Sequence, residues 1–210
     1  LFAARQSPTA QELPWVELSE IRSALPEDAV WIDITRQDFV DFDGRNYEQR
    51  LQDPQYVAWI VPKQGHVARV ELGDAAQIDR MVKSARQVIG DAAEKTLIEL
   101  GEITATELAN KTLAAVAERV WKPLQQVIPA GSQALWLSPD GQLWLLPWAA
   151  LPSEKDRLLI QDYAITTFIN GRGLVSQAQA APSRVTRSAV FANPDFDQSA
   201  AEKRAAHQAV

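Results

Sequence analysis

The chain is poor in histidine and cysteine, two residue types that often serve as general base and nucleophile. It contains two histidines, His66 and His207, and no cysteine. Without cysteine, these 210 residues can hold no thiol nucleophile, no disulfide and no thiolate metal site. A general-base histidine needs a nucleophile within hydrogen-bond reach and a third group to orient it. Because His66 adjoins a predicted turn and His207 lies in a polar tail, we interpret both as solvent-exposed.

Other motifs that mark active sites are absent or out of register. The chain has no phosphate-binding loop, dinucleotide fingerprint, serine nucleophile elbow or zinc-peptidase helix motif. The segment Asp41-Phe42-Asp43-Gly44 resembles part of a calcium loop. With Gly44 at the sixth position, however, the first position is Phe39 and the twelfth is Arg50, and neither can bind calcium. We interpret this segment as an acidic surface loop and expect no metal or cofactor.

Arg172 is the one charged residue placed where binding residues often lie. It follows a predicted strand at the tight turn Asn170-Gly171, and a second glycine comes next. From exposure tendencies alone, a surface arginine at the start of a helix is the simpler interpretation. Both interpretations remain open at this point.

Composition indicates a globular protein of one large or two small domains. Of its 210 residues, 46% are hydrophobic and 23% charged, and the net charge is −6. No basic stripe is interleaved with aromatic residues, which argues against nucleic-acid binding. No apolar run approaches the roughly 18 residues of a membrane helix, so we expect no membrane partner. Seven tryptophans predict a substantial core.

The elements that would position any site alternate between strands and helices. Apolar spacing predicts a helix over residues 17–25, a strand over 29–34, and a hairpin of strands over 56–61 and 67–72. Asp74 is suited to cap a helix whose apolar stripe runs from Ile78 to Ile89. A second helix begins near Thr104 or Thr106, and Pro123 should kink it or start a new segment.

The second half of the chain predicts shorter elements. Residues 135–148 read as a hairpin that turns at Ser138-Pro139-Asp140-Gly141, with Gly141 at positive φ and Trp136 paired across the strands with Trp144. Further strands are predicted over 158–160, 163–169 and 188–192, and a helix over 171–179. This mixture indicates an α/β or α+β fold.

An ordered series of short motifs resembles the CHAT domain, a caspase-like family of cysteine peptidases. The most specific is the pattern P-D-G-x-L-x-x-L-P-(aromatic)-A-A-L, matched by Pro139, Asp140, Gly141, Leu143, Leu146, Pro147, Trp148, Ala149, Ala150 and Leu151. An earlier family pattern is matched by Tyr56, Ala58, Trp59, Ile60, Gly65, Val67, Leu72, Gly73, Ala75 and Ile78.

Four shorter matches keep the family's order. A W-x-P-(apolar) motif is matched by Trp121, Pro123 and Leu124, and a later segment by Leu158, Leu159, Ile160, Tyr163 and Ile165. The S-G-R-x-L motif of bacterial members is similar to Asn170, Gly171, Arg172 and Leu174, with asparagine in place of serine. The strand before the family's variable insert resembles residues 189–196.

The resemblance implies a fold and a domain organisation. We expect an α/β, caspase-like sheet with flanking helices, including a two-helix insertion, in a domain that is incomplete within this chain. Residues 1–16 would be a linker or the end of a preceding module, and residues 17–197 the N-terminal part of a CHAT-like domain. Residues 198–210 would be a tail or the start of the variable insert.

The resemblance also implies an activity and partners. CHAT peptidases hydrolyse peptide bonds with a His/Cys dyad, whose strands would follow this chain. Its partners would be the missing C-terminal part of the protein, a protein or peptide substrate and a helical-repeat module upstream, in the cytoplasm. On the same basis, Arg172 becomes a candidate substrate-binding residue, since a guanidinium suits a carboxylate or a backbone carbonyl.

Two alternatives stay open. The whole protein could be a non-catalytic CHAT-like scaffold or protein-interaction module, or the chain could be an unrelated α/β domain. Downstream strands ending in His and Cys would favour the peptidase, and the same strands without those residues would favour the scaffold.

Overall fold

Five strands form one mixed sheet in the computed structural model, which describes residues 15–38, 53–91, 97–154 and 157–179. The strands are β1 (Ala29–Gln37), β2 (Gln55–Pro62), β3 (Ala68–Asp74), β4 (Ala134–Ser138) and β5 (Ala164–Thr167). Their spatial order is β3-β2-β1-β4-β5. The β3-β2-β1 side is antiparallel, whereas β1, β4 and β5 run parallel. The expected α/β sheet is confirmed.

Seven α-helices flank this sheet within the described ranges. They are α1 (Leu18–Ala24), α2 (Ala75–Asp91), α3 (Leu97–Leu100), α4 (Glu102–Val116), α5 (Lys122–Gln125), α6 (Leu159–Asp162) and α7 (Gly171–Gln179). A π-helical turn spans Ala117–Trp121, and two 3-10 turns span Gly141–Leu145 and Trp148–Ala150.

The first face of the sheet carries the larger core. Residues alternate between faces along a strand, so Val30, Ile32 and Ile34 of β1 all point to this side, where each is fully buried. The helices α2 and α4 cover them with the apolar stripe that the sequence predicts. Burial of a side chain of this size contributes about 1.5–3 kcal/mol, so this core is the main source of stability.

Among the described residues, the second face is covered only at one end. Trp31 of β1 and Trp136 of β4 both pack on Phe168, at centroid distances of 5.6 Å and 5.1 Å. The buried residues of α7, Leu174 and Val175, close this smaller cluster together with residues of α1. Beyond Trp31 along β1, the face opens toward solvent.

The predicted N-cap of α2 is confirmed, whereas α4 begins at Glu102, before the expected Thr104 or Thr106. Asp74 accepts a hydrogen bond from the backbone N–H of Gln77, which is the N-cap contact expected of it. Pro123 lies in the first turn of a new segment, α5. A π-helical turn comes immediately before it and replaces the regular α-helical hydrogen bonds, with which a proline ring would clash. Leu108 and Val127, although apolar, are 42% and 39% exposed.

The hairpin predicted over residues 135–148 is wrong. Only β4 forms, and the chain then enters two 3-10 turns instead of a returning strand. The reason is the spacing of the apolar residues, because Leu143, Leu146 and Trp148 all point into the first core. A 3-10 turn permits this spacing, whereas in a strand residues 143 and 146 would point to opposite faces. Gly141 does adopt a positive φ of 54°.

Two other predictions need correction, and the tryptophans contribute less to the substantial core than their number suggests. Trp136 and Trp144 do not pair across strands, since Trp136 packs on Phe168 and Trp144 is 41% exposed. Residues 159–162 form α6, not a strand. Only three of the seven tryptophans, Trp31, Trp121 and Trp148, are buried. The predicted loop at 41–44, the predicted strand at 188–192 and His207 lie outside the described residues.

Candidate functional site

A crevice opens on the second face of the sheet, toward the carboxyl ends of the parallel strands. Asp33 lies on its floor, because β1 places it opposite Trp59 of β2 on one side and Ser138 of β4 on the other. Ser138 is the last residue of β4, whereas β1 continues to Gln37. The polar end of β4 therefore lies beside a carboxylate in the middle of β1. We call this place the carboxyl-end crevice.

The helix α7 brings Arg172 to the crevice. After β5, the side-chain oxygen of Asn170 accepts a hydrogen bond from the N–H of Gly173 at 2.9 Å, which caps the first turn. Gly171 permits a close approach there, since a Cβ atom on it would lie 2.9 Å from Cδ1 of Ile21 in α1. Arg172 is the next residue, so the packing of α7 on α1 fixes where its side chain begins.

Asp33 is held in an environment that disfavours its charge. Burial raises the pKa of the Asp33 carboxyl, and the nearby negative charge of Asp140 raises it further. A hydrogen bond from Ser138 acts in the opposite direction. Within the described ranges no cation offsets the burial, so Asp33 takes up a proton more readily than an exposed aspartate does.

The Ser138 hydroxyl has one proton and two neighbouring acceptors. Its oxygen lies 3.4 Å from the carbonyl oxygen of Ile169, a distance at the outer limit for a hydrogen bond, and it also borders the Asp33 carboxylate. In this structure the hydroxyl donates to the Ile169 carbonyl, and its interaction with Asp33 lowers the pKa of that carboxyl. Ser138 itself is only 4% exposed.

The crevice contains a cavity of about 300 Å³. Its walls come from the segment before and within α1, from β1 and from the start of α7; they are Trp15, Val16, Ile21, Asp33, Asn170, Gly171 and Arg172. The Nε atom of Arg172 is buried and has no hydrogen-bond partner among the described residues. A buried donor without a partner is uncommon and costs stability unless a ligand satisfies it.

A second polar cluster fixes the chain beside the crevice. The Tyr56 hydroxyl donates to Asp79 at 2.7 Å and accepts from the N–H of Gln142 at 3.1 Å. The Asp140 carboxylate accepts from the N–H of Gly141 at 2.7 Å and from that of Arg36 at 2.9 Å. These bonds join the end of β4 to β1, β2 and α2, so the Pro-Asp-Gly motif has a positioning role.

Of the predicted candidates, the structure brings Arg172 to a cavity and leaves His66 apart. His66 is exposed in the β2–β3 connection. The register pairs Pro62, near that connection, with Val30 at the beginning of β1, so His66 lies at the opposite end of the sheet from the crevice. Within the described ranges, no cluster of three or more possible ligands could hold a metal ion, and no helix is long and apolar enough to cross a membrane.

Sequence reasoning did not identify Asp33, Ser138 or Asn170 as site residues. A signal for Asp33 exists, because it is the single charged residue in the apolar run Ala-Val-Trp-Ile-Asp-Ile. A carboxylate in the middle of a buried strand needs a reason. Ser138 and Asn170 carry no comparable signal, since short polar residues commonly end strands and begin helices.

Comparison with known proteins gives one match. No curated protein and no solved structure matches the chain. Residues 110–209 match the family model of the CHAT domain, and this range includes β4, β5, α7 and the Pro-Asp-Gly motif. The resemblance that the motifs indicated is therefore confirmed over residues 110–209, which are similar to the CHAT domain.

Proposed function

We propose that these 210 residues form the N-terminal part of a CHAT-family, caspase-like cysteine peptidase whose His/Cys dyad lies outside the chain. The observation that carries the proposal is the family match over residues 110–209. In such a peptidase a histidine removes the proton from the cysteine thiol. The thiolate then attacks the scissile carbonyl, and the histidine gives its proton to the departing amine as the peptide bond breaks. Water hydrolyses the resulting thioester, which frees the acid product and restores the thiol.

The role of the present residues would be to position and bind. Arg172 would contact the substrate, because its guanidinium borders a cavity and its Nε proton has no acceptor in the described part of the chain. A carbonyl or carboxylate of the substrate would supply that acceptor. The sheet would carry the rest of the domain, and the partners would be the remaining part of the protein, a protein substrate and a helical-repeat module upstream. The compartment proposed is the cytoplasm of a bacterium.

Kinetics of the complete gene product test the proposal. We expect it to cleave peptides, and we expect Arg172→Ala to lower kcat/KM about 10- to 100-fold, since hydrogen bonds to charged groups contribute about 1.5–3 kcal/mol. Arg86→Ala, which removes an exposed arginine from α2, serves as the control and should leave kcat/KM unchanged. Equal activity of the Arg172 variant and the wild type would remove Arg172 from the site.

The alternative function is a non-catalytic scaffold or protein-interaction module. The complete product would then cleave no peptide in a broad library, although it would still fold. That result would overturn the peptidase proposal and favour the scaffold.

A further inference from the structure

We propose that the carboxyl-end crevice binds the main chain of an extended peptide, with Asp33 accepting a hydrogen bond from a peptide N–H and Arg172 donating one to a peptide carbonyl. This inference rests on the proposed function in one respect, because a peptidase would have a peptide substrate to occupy the crevice. It goes further because it assigns a ligand chemistry to Asp33 and Arg172 together, and the chain can be tested without the dyad.

The first observation is that the two opposite charges share a cavity without pairing. Asp33 and Arg172 both line it, yet among the described residues they form no salt bridge with each other. The cavity therefore separates an acceptor from a donor.

The second observation is that the described part of the fold leaves hydrogen-bonding capacity on both groups. The Arg172 Nε proton is buried without an acceptor there, and Ser138 is the one side chain in the same ranges that acts on the Asp33 carboxyl by hydrogen bonding. A ligand that satisfies both must offer a donor and an acceptor on one small group. The peptide unit does so, with one N–H and one C=O on opposite sides of a plane.

A neutral peptide unit fits the crevice better than a charged ligand. Transfer of an ionised group into a partly buried site costs more than transfer of an amide, because the amide loses less hydration. Asp140 also contributes negative charge near Asp33, which would oppose a ligand carboxylate on that side. These facts favour a peptide segment over a free amino acid or an isolated anion.

Exposed aromatic rings flank the polar pair. Trp59, next to Asp33 across the β1–β2 register, is 37% exposed, and Trp15 on the cavity wall is 82% exposed. Tryptophan rings contribute large contact areas with little loss of side-chain entropy, and they are enriched where peptides and proteins bind. They would pack against the side chains of the peptide whose main chain contacts Asp33 and Arg172.

Binding to the 210-residue chain tests the proposal directly. The probe is a library of N-acetylated, C-amidated hexapeptides, and the tightest member is measured by fluorescence anisotropy. We expect saturable binding that weakens at least 10-fold in Arg172→Ala and in Asp33→Ala, whereas Arg86→Ala, on the opposite side of the sheet, binds like the wild type. Absence of any binding peptide, or equal binding by all variants, would overturn the proposal.

A chemical modification separates main-chain recognition from side-chain recognition. N-methylation of each peptide bond in turn removes one N–H. We expect one position at which methylation weakens binding at least 10-fold to the wild type but less than threefold to Asp33→Ala, because the variant no longer accepts that proton. Equal losses in both proteins at every position would show that Asp33 does not receive a main-chain N–H.

The two proposals fail in different ways. A chain that binds blocked peptides while the complete product shows no turnover would leave the crevice assignment intact and overturn the peptidase. A complete product that cleaves peptides while the chain binds none would leave the peptidase intact and overturn the crevice assignment. A free amino acid that competes as well as the blocked peptide would also contradict main-chain recognition.

Discussion

Asp33 and Arg172 carry opposite charges and line the same cavity. Within the described ranges, they form no ion pair with each other. For a protein that only needed to be stable, an apolar residue at position 33 would serve better, because β1 is otherwise buried around it. Sites that bind ligands commonly keep such groups at a cost in stability. Substitutions at these two positions therefore test both stability and ligand binding.

The raised pKa of Asp33 predicts that the Asp33→Asn variant is more stable than the wild type, by an amount that depends on pH. The folded protein binds a proton on Asp33 more readily than the unfolded chain, whose aspartate has a pKa near 3.8. Stability therefore falls as the pH rises from this value through the raised folded pKa. We expect the variant to have a higher Tm than the wild type at pH 7, with a difference that shrinks as the pH approaches 3.8. A difference that grows toward low pH would contradict the burial of Asp33, and the exposed Asp28→Asn provides the control.

The Tyr56 hydroxyl should contribute measurably to stability. It is the shared partner of Asp79 and of the Gln142 N–H, and burial with the Asp79 bond raises the pKa of its phenol. We expect Tyr56→Phe to lower the free energy of unfolding by about 1–2 kcal/mol in urea titrations. Tyr163→Phe is the matched control, because no hydrogen bond of its hydroxyl occurs in the described ranges, and it should cost less than half as much. Equal costs would remove the special role of Tyr56.

Gly141 and Tyr56 should be energetically coupled. A Cβ atom at Gly141 would lie 2.2 Å from the Tyr56 hydroxyl oxygen, and φ at Gly141 is positive. Gly141→Ala therefore adds a steric clash to backbone strain of about 1–2 kcal/mol. In a double-mutant cycle, we expect the pair Gly141→Ala, Tyr56→Phe to cost less than the sum of the single variants, since phenylalanine lacks the clashing atom. Additive costs would show that the two residues do not meet.

Sequence patterns predicted a helix or strand correctly where a single pattern determined its structure. The stripe from Ile78 to Ile89 and the cap at Asp74 predicted α2, and both are present. It failed at residues 142–148, where turn residues that suit a hairpin precede an apolar spacing that suits a 3-10 turn. The burial of Leu143 and Leu146 against the first core decides between them, and that contact is not visible in the local sequence.

The residues of the carboxyl-end crevice were also predictable only in part. Arg172 could be singled out from its place after a strand, but its neighbours in the crevice are distant in sequence. Asp33 and Ser138 become neighbours only through the parallel pairing of β1 with β4. A parallel register depends on a long crossover, here through α2 and α4, and no short-range signal specifies it.

The two glycines at the start of α7 should differ in their response to alanine. A Cβ at Gly171 would meet Ile21 at 2.9 Å, whereas at Gly173 the nearest atom is 3.8 Å away. Alanine is favoured over glycine in a helix by about 0.5–1 kcal/mol. We therefore expect Gly173→Ala to raise the Tm and Gly171→Ala to raise it less or to lower it. A larger gain at Gly171 would contradict the packing of α7 on α1.

Within the described ranges, the two edges of the sheet differ in their charge. The edge strand β3 carries Arg69 and Glu71, charged residues of the kind that discourage pairing with another strand. The edge strand β5 reads Ala-Ile-Thr-Thr and has no charge, and Ile169 just beyond it is 80% exposed. An uncharged edge beside an exposed apolar residue is suited to pairing, which supports the proposal that further strands of the domain join there.

This difference predicts self-association of the isolated chain through β5. We expect sedimentation velocity of the 210-residue chain to show concentration-dependent oligomers, and we expect Thr166→Lys to reduce them. The same change at an exposed position of the other edge strand, Glu71→Lys on β3, should have little effect. A monomer at all concentrations, or equal behaviour of both variants, would show that the β5 edge does not pair.

Mapping the catalytic nucleophile tests the central proposal most directly. The complete gene product is treated with a peptide carrying a thiol-reactive electrophile, and the modified residue is identified by mass spectrometry. We predict a single modified cysteine outside these 210 residues, and we predict that Arg172→Ala slows the modification at least 10-fold while a small thiol reagent reacts at an unchanged rate. Absence of a peptide-dependent modified cysteine, or a modified residue within the 210, would contradict the account.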